Sequence, residues 1–367
     1  MHRLICLLVV FVLPCLLPAQ TEKPLRIAVA GLVHGHVEGF LLRPAQTRKD
    51  IMIVGIFEPN TALAEKIAKQ YGYPQSMLYT NLDTMLDHVT PDAVATFTNT
   101  FDHATVVESV APRHLPVMME KPLAVSVEHA LRIQRAAYRY GIQVVVNYET
   151  SWYASHGAIW DLINEKKSMG DIRRIVAMDG HQGPKEIGVG PEFLSFLRNP
   201  ALNGAGALFD FGCYGANLMT WLMGNQRPSA VMAMTRHIKP AIYPEVEDDA
   251  TILLEYPKAQ GVVEASWNWP FGRKDLEVYA ERGYAIATGG NSLRVRLPDR
   301  QEEVSVPAAL PAEEHDALAY FSAVAKGKRK STGLSSLENN VIVTEILEAA
   351  RQSARTGDRE ALTQKRE

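Results

Sequence analysis

Cysteine is scarce in this 367-residue chain, with three residues, two of which (Cys6 and Cys15) fall in an apolar N-terminus. Removal of that segment leaves Cys213 alone, so no intrachain disulfide can form. Charge of one sign is also lacking. The net charge is −3 with both signs interspersed, which gives neither the basic footprint of a nucleic-acid binder nor a polyanionic surface. Internal repeats and low-complexity segments are absent. With 47% hydrophobic and 22% charged residues, the composition excludes a disordered chain.

The first twenty residues carry the pattern of a secretory signal. Arg3 gives a positive start, Leu4–Leu17 is apolar, and Ala19-Gln20 offers a cleavage point. The run is short for a membrane span and contains Pro14 and Pro18. An uncleaved anchor is the alternative reading. Pro14 before Cys15 is a poor context for lipid attachment, and no Arg-Arg pair suggests folded export. The expectation is a secreted or periplasmic protein with no membrane contact once residues 1–20 are removed.

The remaining length suits two domains. In residues 21–147, apolar strand-like runs (Leu25–Gly31, Ile51–Phe57, Ala93–Phe97, Pro116–Glu120, Ile142–Asn147) alternate with helical spacing. That order predicts an α/β domain with a doubly wound parallel sheet and a ligand at the strands' carboxyl ends. Residues 148–356 change character. Helical segments at Ala154–Glu165 and Gly204–Gly224 flank strands that follow one another without helices, predicting an α+β domain with an open, mainly antiparallel sheet. Residues 357–367 read as a polar tail.

Chemistry concentrates at three places. Gly31-Leu32-Val33-His34-Gly35-His36 joins a strand to a helix where a dinucleotide loop would want Gly-x-Gly-x-x-Gly. Val33 and His36 replace the second and third glycines, and Gly35 is displaced. His34 and His36 raise a metal-ligand reading as well, although no metal is assigned. Glu58, 27 residues after Gly31, ends the second strand, where a carboxylate accepts ribose hydroxyls and repels a 2′-phosphate. It favours NAD, with NADP possible. Thr98, Asn99 and His103 follow the Ala93–Phe97 strand and are assigned to cofactor contact with Glu120 and Lys121. As a lone histidine, His103 also has a structural reading.

The second place is Glu120-Lys121-Pro122, where a lysine is fixed by the following proline at a strand exit. The third is Gly204–Gly224, where Asp210, Tyr214 and Asn217 share one helical face. A buried core network is the plain alternative there. His181, in a glycine-rich loop, and Tyr148, at the domain junction, complete the substrate-facing candidates. Trp267 and Trp269 read as sheet core or as a platform for a sugar ring.

Met119-Glu120-Lys121-Pro122-Leu123-Ala124 and Gly206-Ala207-Leu208-Phe209-Asp210-Phe211-Gly212-Cys213-Tyr214 resemble the Gfo/Idh/MocA family, across about residues 24–356. The resemblance implies a Rossmann domain followed by a largely antiparallel sheet, NAD(P), a carbohydrate-like substrate and a homo-oligomer. It places Lys121 by the nicotinamide. It also maps the family's Asp-x-Gly-x-His onto Asp210, Gly212 and Tyr214, so a tyrosine stands where histidine is usual, as in glucose–fructose oxidoreductase. Asn147-Tyr148-Glu149-Thr150 lacks the basic residue many members have there.

The function implied is oxidation or reduction of a secondary hydroxyl on a sugar or polyol, with Lys121, Tyr214 and Asp210 as catalytic residues. Outside the cytoplasm nicotinamide is scarce, so a tightly held, recycled cofactor is expected. Three rivals stand beside it: a redox-neutral NAD-dependent glycosidase or lyase, a non-catalytic sugar-binding protein, and a metal-dependent lyase or hydrolase using His34, His36 and a carboxylate.

Overall fold

Near-continuous apolar runs are what strands covered on both faces require, and six of them build the first sheet: β1 (Leu25–Ala30), β2 (Ile51–Phe57), β3 (Leu78–Tyr79), β4 (Ala93–Thr96), β5 (Val117–Glu120) and β6 (Val144–Asn147). The computed structural model describes residues 23–362; the expected signal peptide and the last five residues lie outside them. The sheet order is β3-β2-β1-β4-β5-β6, every pair parallel. Strand order reverses between β1 and β4, which opens a crevice at their carboxyl ends.

The covering helices show their boundaries in sequence. Asn60 and Ser126 accept N–H groups at the starts of Thr61–Tyr71 and Val127–Tyr140, and Gly72 and Gly141 end them in the left-handed conformation. The helix expected after the Gly31–His36 loop is present, opened into a π turn at Glu38–Leu42 and running on through Arg43–Ala45. Pro44, which has no N–H to offer the carbonyl one turn back, lies just after that turn.

The second sheet comprises β7 (Ile172–Gly180), β8 (Ala230–Arg236), β9 (Asp249–Glu255), β10 (Gln260–Ser266), β11 (Arg273–Ala280), β12 (Gly283–Thr288), β13 (Leu293–Arg296), β14 (Glu303–Ser305) and β15 (Glu360–Ala361). Its order is β14-β13-β12-β11-β7-β10-β9-β8-β15. Only the central β7–β10 pair is parallel. The helix Gly212–Leu222 lies close on this sheet, and a Cβ at Gly215 would fall 2.6 Å from Val263.

Three expectations change. Gly204–Gly224 is not one helix: Ala207–Asp210 and Gly212–Leu222 are separated at Phe211. Glu247 accepts the Gly206 and Leu208 N–H groups at 2.8 and 2.9 Å and so fixes the start of the first piece. At the break, the Tyr214 N–H bonds the Phe211 carbonyl, and the Asp210 carbonyl accepts the Cys213 thiol at 3.3 Å and remains open to a further donor. Second, helix Ala317–Ala325, placed by sequence in the second domain, buries Leu318, Phe321 and Val324 against Ile27, Leu41 and Leu42 of the first. Its apolar face fits the bare side of the parallel sheet, and Arg48 pairs with Asp316 at its start. Third, Glu360 and Ala361 of the expected tail pair with β8.

Candidate active site

Lys121 follows β5 directly, so its side chain enters the crevice at the sheet's carboxyl edge. The Lys121–Pro122 bond is cis. Its ammonium is buried, with 4% of the residue exposed. It donates to the Asp210 carboxylate and, at 2.9 Å, to the carbonyl that the helix break frees. Trp267, just after β10, donates Nε1–H to the other Asp210 oxygen at 2.9 Å. Burial disfavours charge on both Lys121 and Asp210, but the pairing overcomes it. The lysine pKa is raised and the aspartate's is lowered, so both are ionised at neutral pH.

Trp267→Phe removes the one indole donor to this buried carboxylate. The loss is expected to cost about 1.5–3 kcal/mol of stability, measured by urea unfolding. An unchanged midpoint would show that Asp210 does not depend on this bond.

Tyr214 stands on the first turn of Gly212–Leu222, almost fully buried. Its ring lies beneath two cations, with Lys121 Nζ 5.2 Å and Lys274 Nζ 5.3 Å from the centroid. Tyr148 meets it edge-on at 5.4 Å. Among the described residues its hydroxyl has no hydrogen-bond partner. A cation beside a phenol lowers its pKa. The reverse holds here: burial, then the acidic groups of Cys213, Glu149 and Asp210, push it well above its ordinary value. Tyr214 is therefore a proton donor at neutral pH. Asn217 has left this face and donates to the Leu334 carbonyl at 2.8 Å and to Asn340, as in the core-network alternative.

His181 follows β7. Its Nδ1 accepts the Gly183 N–H at 2.9 Å, which leaves Nε2 carrying the proton. Burial, the largest cause, lowers its pKa to about 4. It is a neutral N–H donor, seated edge-on against Phe211.

Lys274 and Glu149, not singled out as site residues in the sequence, join this group. Lys274 of β11 reaches Glu149 at 2.6 Å, and Tyr153 donates to the same carboxylate at 2.6 Å. The basic residue missing from 147–150 thus arrives from the second sheet. Opposite Lys274 in the ladder stands Asp179, wholly buried and, among the described residues, with neither oxygen hydrogen-bonded. Burial raises its pKa far above the carboxylate range, so it is held protonated. Only tertiary pairing joins Glu149 and Lys274 to the site, so no sequence spacing could have found them.

The crevice between β1 and β4 opens into a cavity of about 380 Å³ lined by Gly31, Val33, Glu58, Thr98, Asn99 and Asp102, among others. Gly31 has φ +86°, and a Cβ there would fall 2.6 Å from Thr98 Cγ2 and 2.8 Å from its N. A side chain is excluded here, as at the first glycine of a dinucleotide loop, which makes its tight turn. Glu58 is buried and accepts the Leu32 N–H at 2.8 Å and the Asn60 N–H at 2.9 Å. It therefore fixes the loop as well as facing the cavity, and burial raises its pKa. Asn99 caps the turn Thr100–Asp102. These residues fit the adenosine half of a dinucleotide.

His34, Gly35 and His36 lie elsewhere, beneath Phe193 of helix Pro191–Leu197, whose ring is 4.4 Å from His34 and 6.0 Å from His36. His36 Nδ1 meets Glu120 at 3.0 Å, and Asn147 donates to the other Glu120 oxygen at 2.7 Å. His103 is buried behind the lysine turn, with Nδ1 3.2 Å from the Leu123 carbonyl. That position supports the turn.

His156, at the domain junction, gives a pH test. Its Nδ1 meets the Thr150 carbonyl at 3.1 Å, and burial lowers its pKa to about 4. Its value in the unfolded chain is about 6.5. Between these values the unfolded state binds the extra proton, so stability falls as pH drops. This residue accounts for up to about 3 kcal/mol of that loss. Urea midpoints at neutral and mildly acidic pH are expected to separate, and His156→Gln to narrow the gap. An unchanged gap in the variant would refute the assignment.

Comparison with known proteins fits this geometry. Residues 25–148 match the model of the oxidoreductase family with an NAD-binding Rossmann fold. Residues 156–286 match the model of the GFO/IDH/MocA C-terminal domain. Together they cover more than half of the chain, which belongs to the Gfo/Idh/MocA family of oxidoreductases. A curated relative, trans-1,2-dihydrobenzene-1,2-diol dehydrogenase of Oryctolagus cuniculus, is 23% identical over 234 residues, 63% of this chain and 65% of the relative. The chain thus spans just under two thirds of that protein.

Among solved structures, aldose-aldose oxidoreductase of Caulobacter crescentus, complexed with glycerol, aligns with TM-score 0.78 at 22% identity. The alignment covers 93% of this chain and all of that one. An inositol dehydrogenase homolog of Azotobacter vinelandii, complexed with NAD+, aligns at 0.78 with 20% identity over 92% of this chain and 97% of that one. These likenesses show the shared fold.

Proposed function

We propose that the protein is an NAD-dependent oxidoreductase acting on a secondary hydroxyl of a sugar or sugar-like polyol. The observation that carries this reading is Lys121, ion-paired with Asp210 and set over Tyr214, at the carboxyl edge of an NAD-binding sheet. The relatives' activities, toward aldoses, inositol and a dihydrodiol, supply the substrate class. NAD, when bound, takes up or returns a hydride at the substrate carbon.

The protein groups handle the proton and the orientation. Lys121 and Tyr214 both hold protons at neutral pH, so the site is set to protonate the oxygen of a carbonyl as it is reduced. The group that gives up its proton is then the base that receives one from the next hydroxyl. Alternating half-reactions on a retained cofactor return each group to the state the other needs, and this supports a recycled cofactor. The His181 N–H and the Lys274–Glu149 pair supply further contacts for ring hydroxyls.

The N-terminal signal pattern supports export, where recycling matters most. Met232 and Met234 of β8 and Leu253 of β9 expose apolar surface on the second sheet, which supports assembly through that face.

The test is transfer of label. Aldoses, polyols and glycosides deuterated at ring C–H positions would be incubated with the NAD-loaded protein. Deuterium appearing in the nicotinamide, or in a second sugar, is expected for the true substrate class. Loaded protein that exchanges label with none of them would overturn the reading.

A further inference from the structure

Three donors that the hydride chemistry does not need converge beside Lys121. His34, His36 and Glu120 each offer a ligand atom, all within 4.8 Å of one another. We propose that they bind a divalent transition-metal ion, with open coordination positions left for water or a substrate oxygen. The proposal does not rest on the oxidoreductase reading.

Two imidazoles and one carboxylate suit Zn2+ and its neighbours, and three protein ligands are what an open site keeps. The donors are held by outer contacts, as metal ligands are. Asn147 lies opposite Glu120 in the β5–β6 ladder and donates to Oε1 at 2.7 Å, leaving Oε2 turned to His36. Trp152 in turn donates to Asn147 at 3.0 Å. The buried His34 ring takes only a long, 3.3 Å contact from the His36 backbone N–H at Nδ1, a contact that an ion at that nitrogen would replace, with the ring proton on Nε2.

The walls are apolar. Phe193 and Phe196 pack on His34, and Phe40 meets His36 at 5.0 Å. The neighbouring Lys121 charge is already balanced by Asp210, so an incoming dication meets the negative charge of Glu120. The position of His36 adds weight. A dinucleotide loop wants glycine there for close helix packing, and this chain instead carries an imidazole aimed at a carboxylate.

The full chain, chelator-treated and dialysed, would be titrated with Zn2+ by calorimetry and with Co2+ by visible absorption. One ion per chain is expected, with Co2+ bands of a four- or five-coordinate site. Asn147→Ala is expected to weaken Zn2+ about 10- to 100-fold. His34→Gln and His36→Gln should weaken it further, with circular dichroism unchanged. Should the histidine variants not fold, Glu120→Gln still accepts the His36 hydrogen bond but loses the anion, and is expected to weaken Zn2+ at least tenfold. Failure to bind one ion at micromolar Zn2+, or undiminished affinity in the folded variants, would overturn the proposal.

Discussion

Lys121→Ala is expected to lower turnover by about 10²- to 10⁴-fold, the range that a positioned proton-transfer group contributes. It is also expected to destabilise the fold by about 3–5 kcal/mol, because it strands a buried carboxylate. Read from sequence alone, the same change would leave the fold intact. The difference lies in burial. The ammonium and the Asp210 carboxylate are both almost wholly enclosed, and that carboxylate is otherwise held only by Trp267. Removing one charge leaves the other without its main partner.

The two effects separate experimentally. Pairing Lys121→Met with Asp210→Leu removes both charges at similar volume and should recover most of the stability but none of the turnover. Urea unfolding and single-turnover label transfer on the single and double variants would report both. A stable, active Lys121→Ala would remove the lysine from the mechanism.

Gly31→Ala is the second change with a large expected effect. At φ +86° a side chain already costs about 1–2 kcal/mol. The new Cβ would also meet the Thr98 N at 2.8 Å and its Cα at 2.9 Å, backbone atoms of the next strand's exit that cannot turn aside as a rotamer can. Overpacking of this kind adds about 1–3 kcal/mol. The loop is expected to lift off Thr98, moving the Leu32 N–H away from Glu58 and narrowing the cavity. NAD affinity should fall at least about tenfold, or 1.4 kcal/mol, with a lower apo midpoint. Calorimetry and thermal unfolding would measure the two losses. Wild-type affinity would mean that the nucleotide does not use this loop.

Much of this was legible in the chain because it is local. Parallel strands covered on both faces leave apolar runs, and caps such as Asn60 and Ser126 leave their own marks. The two motifs that carry the family resemblance each lie within one short segment. Tertiary contacts overrode local pattern elsewhere. The Gly204–Gly224 helix breaks at Phe211, and Lys121, 89 residues away in sequence, takes the Asp210 carbonyl at the break. A neighbouring cation alone would lower the Tyr214 pKa. Burial, which no spacing reveals, outweighs it. Lys274 reaches Glu149 from a strand 125 residues later.

The central claim, an NAD-dependent oxidoreductase with a resident, recycled cofactor, is tested most directly by denaturing the purified protein. Nucleotide released into the supernatant would be quantified by mass spectrometry. The account predicts close to one NAD(H) per chain and less NADP(H), because a carboxylate at Glu58 repels a 2′-phosphate. No nucleotide, together with no thermal shift on adding NAD or NADP, would contradict it.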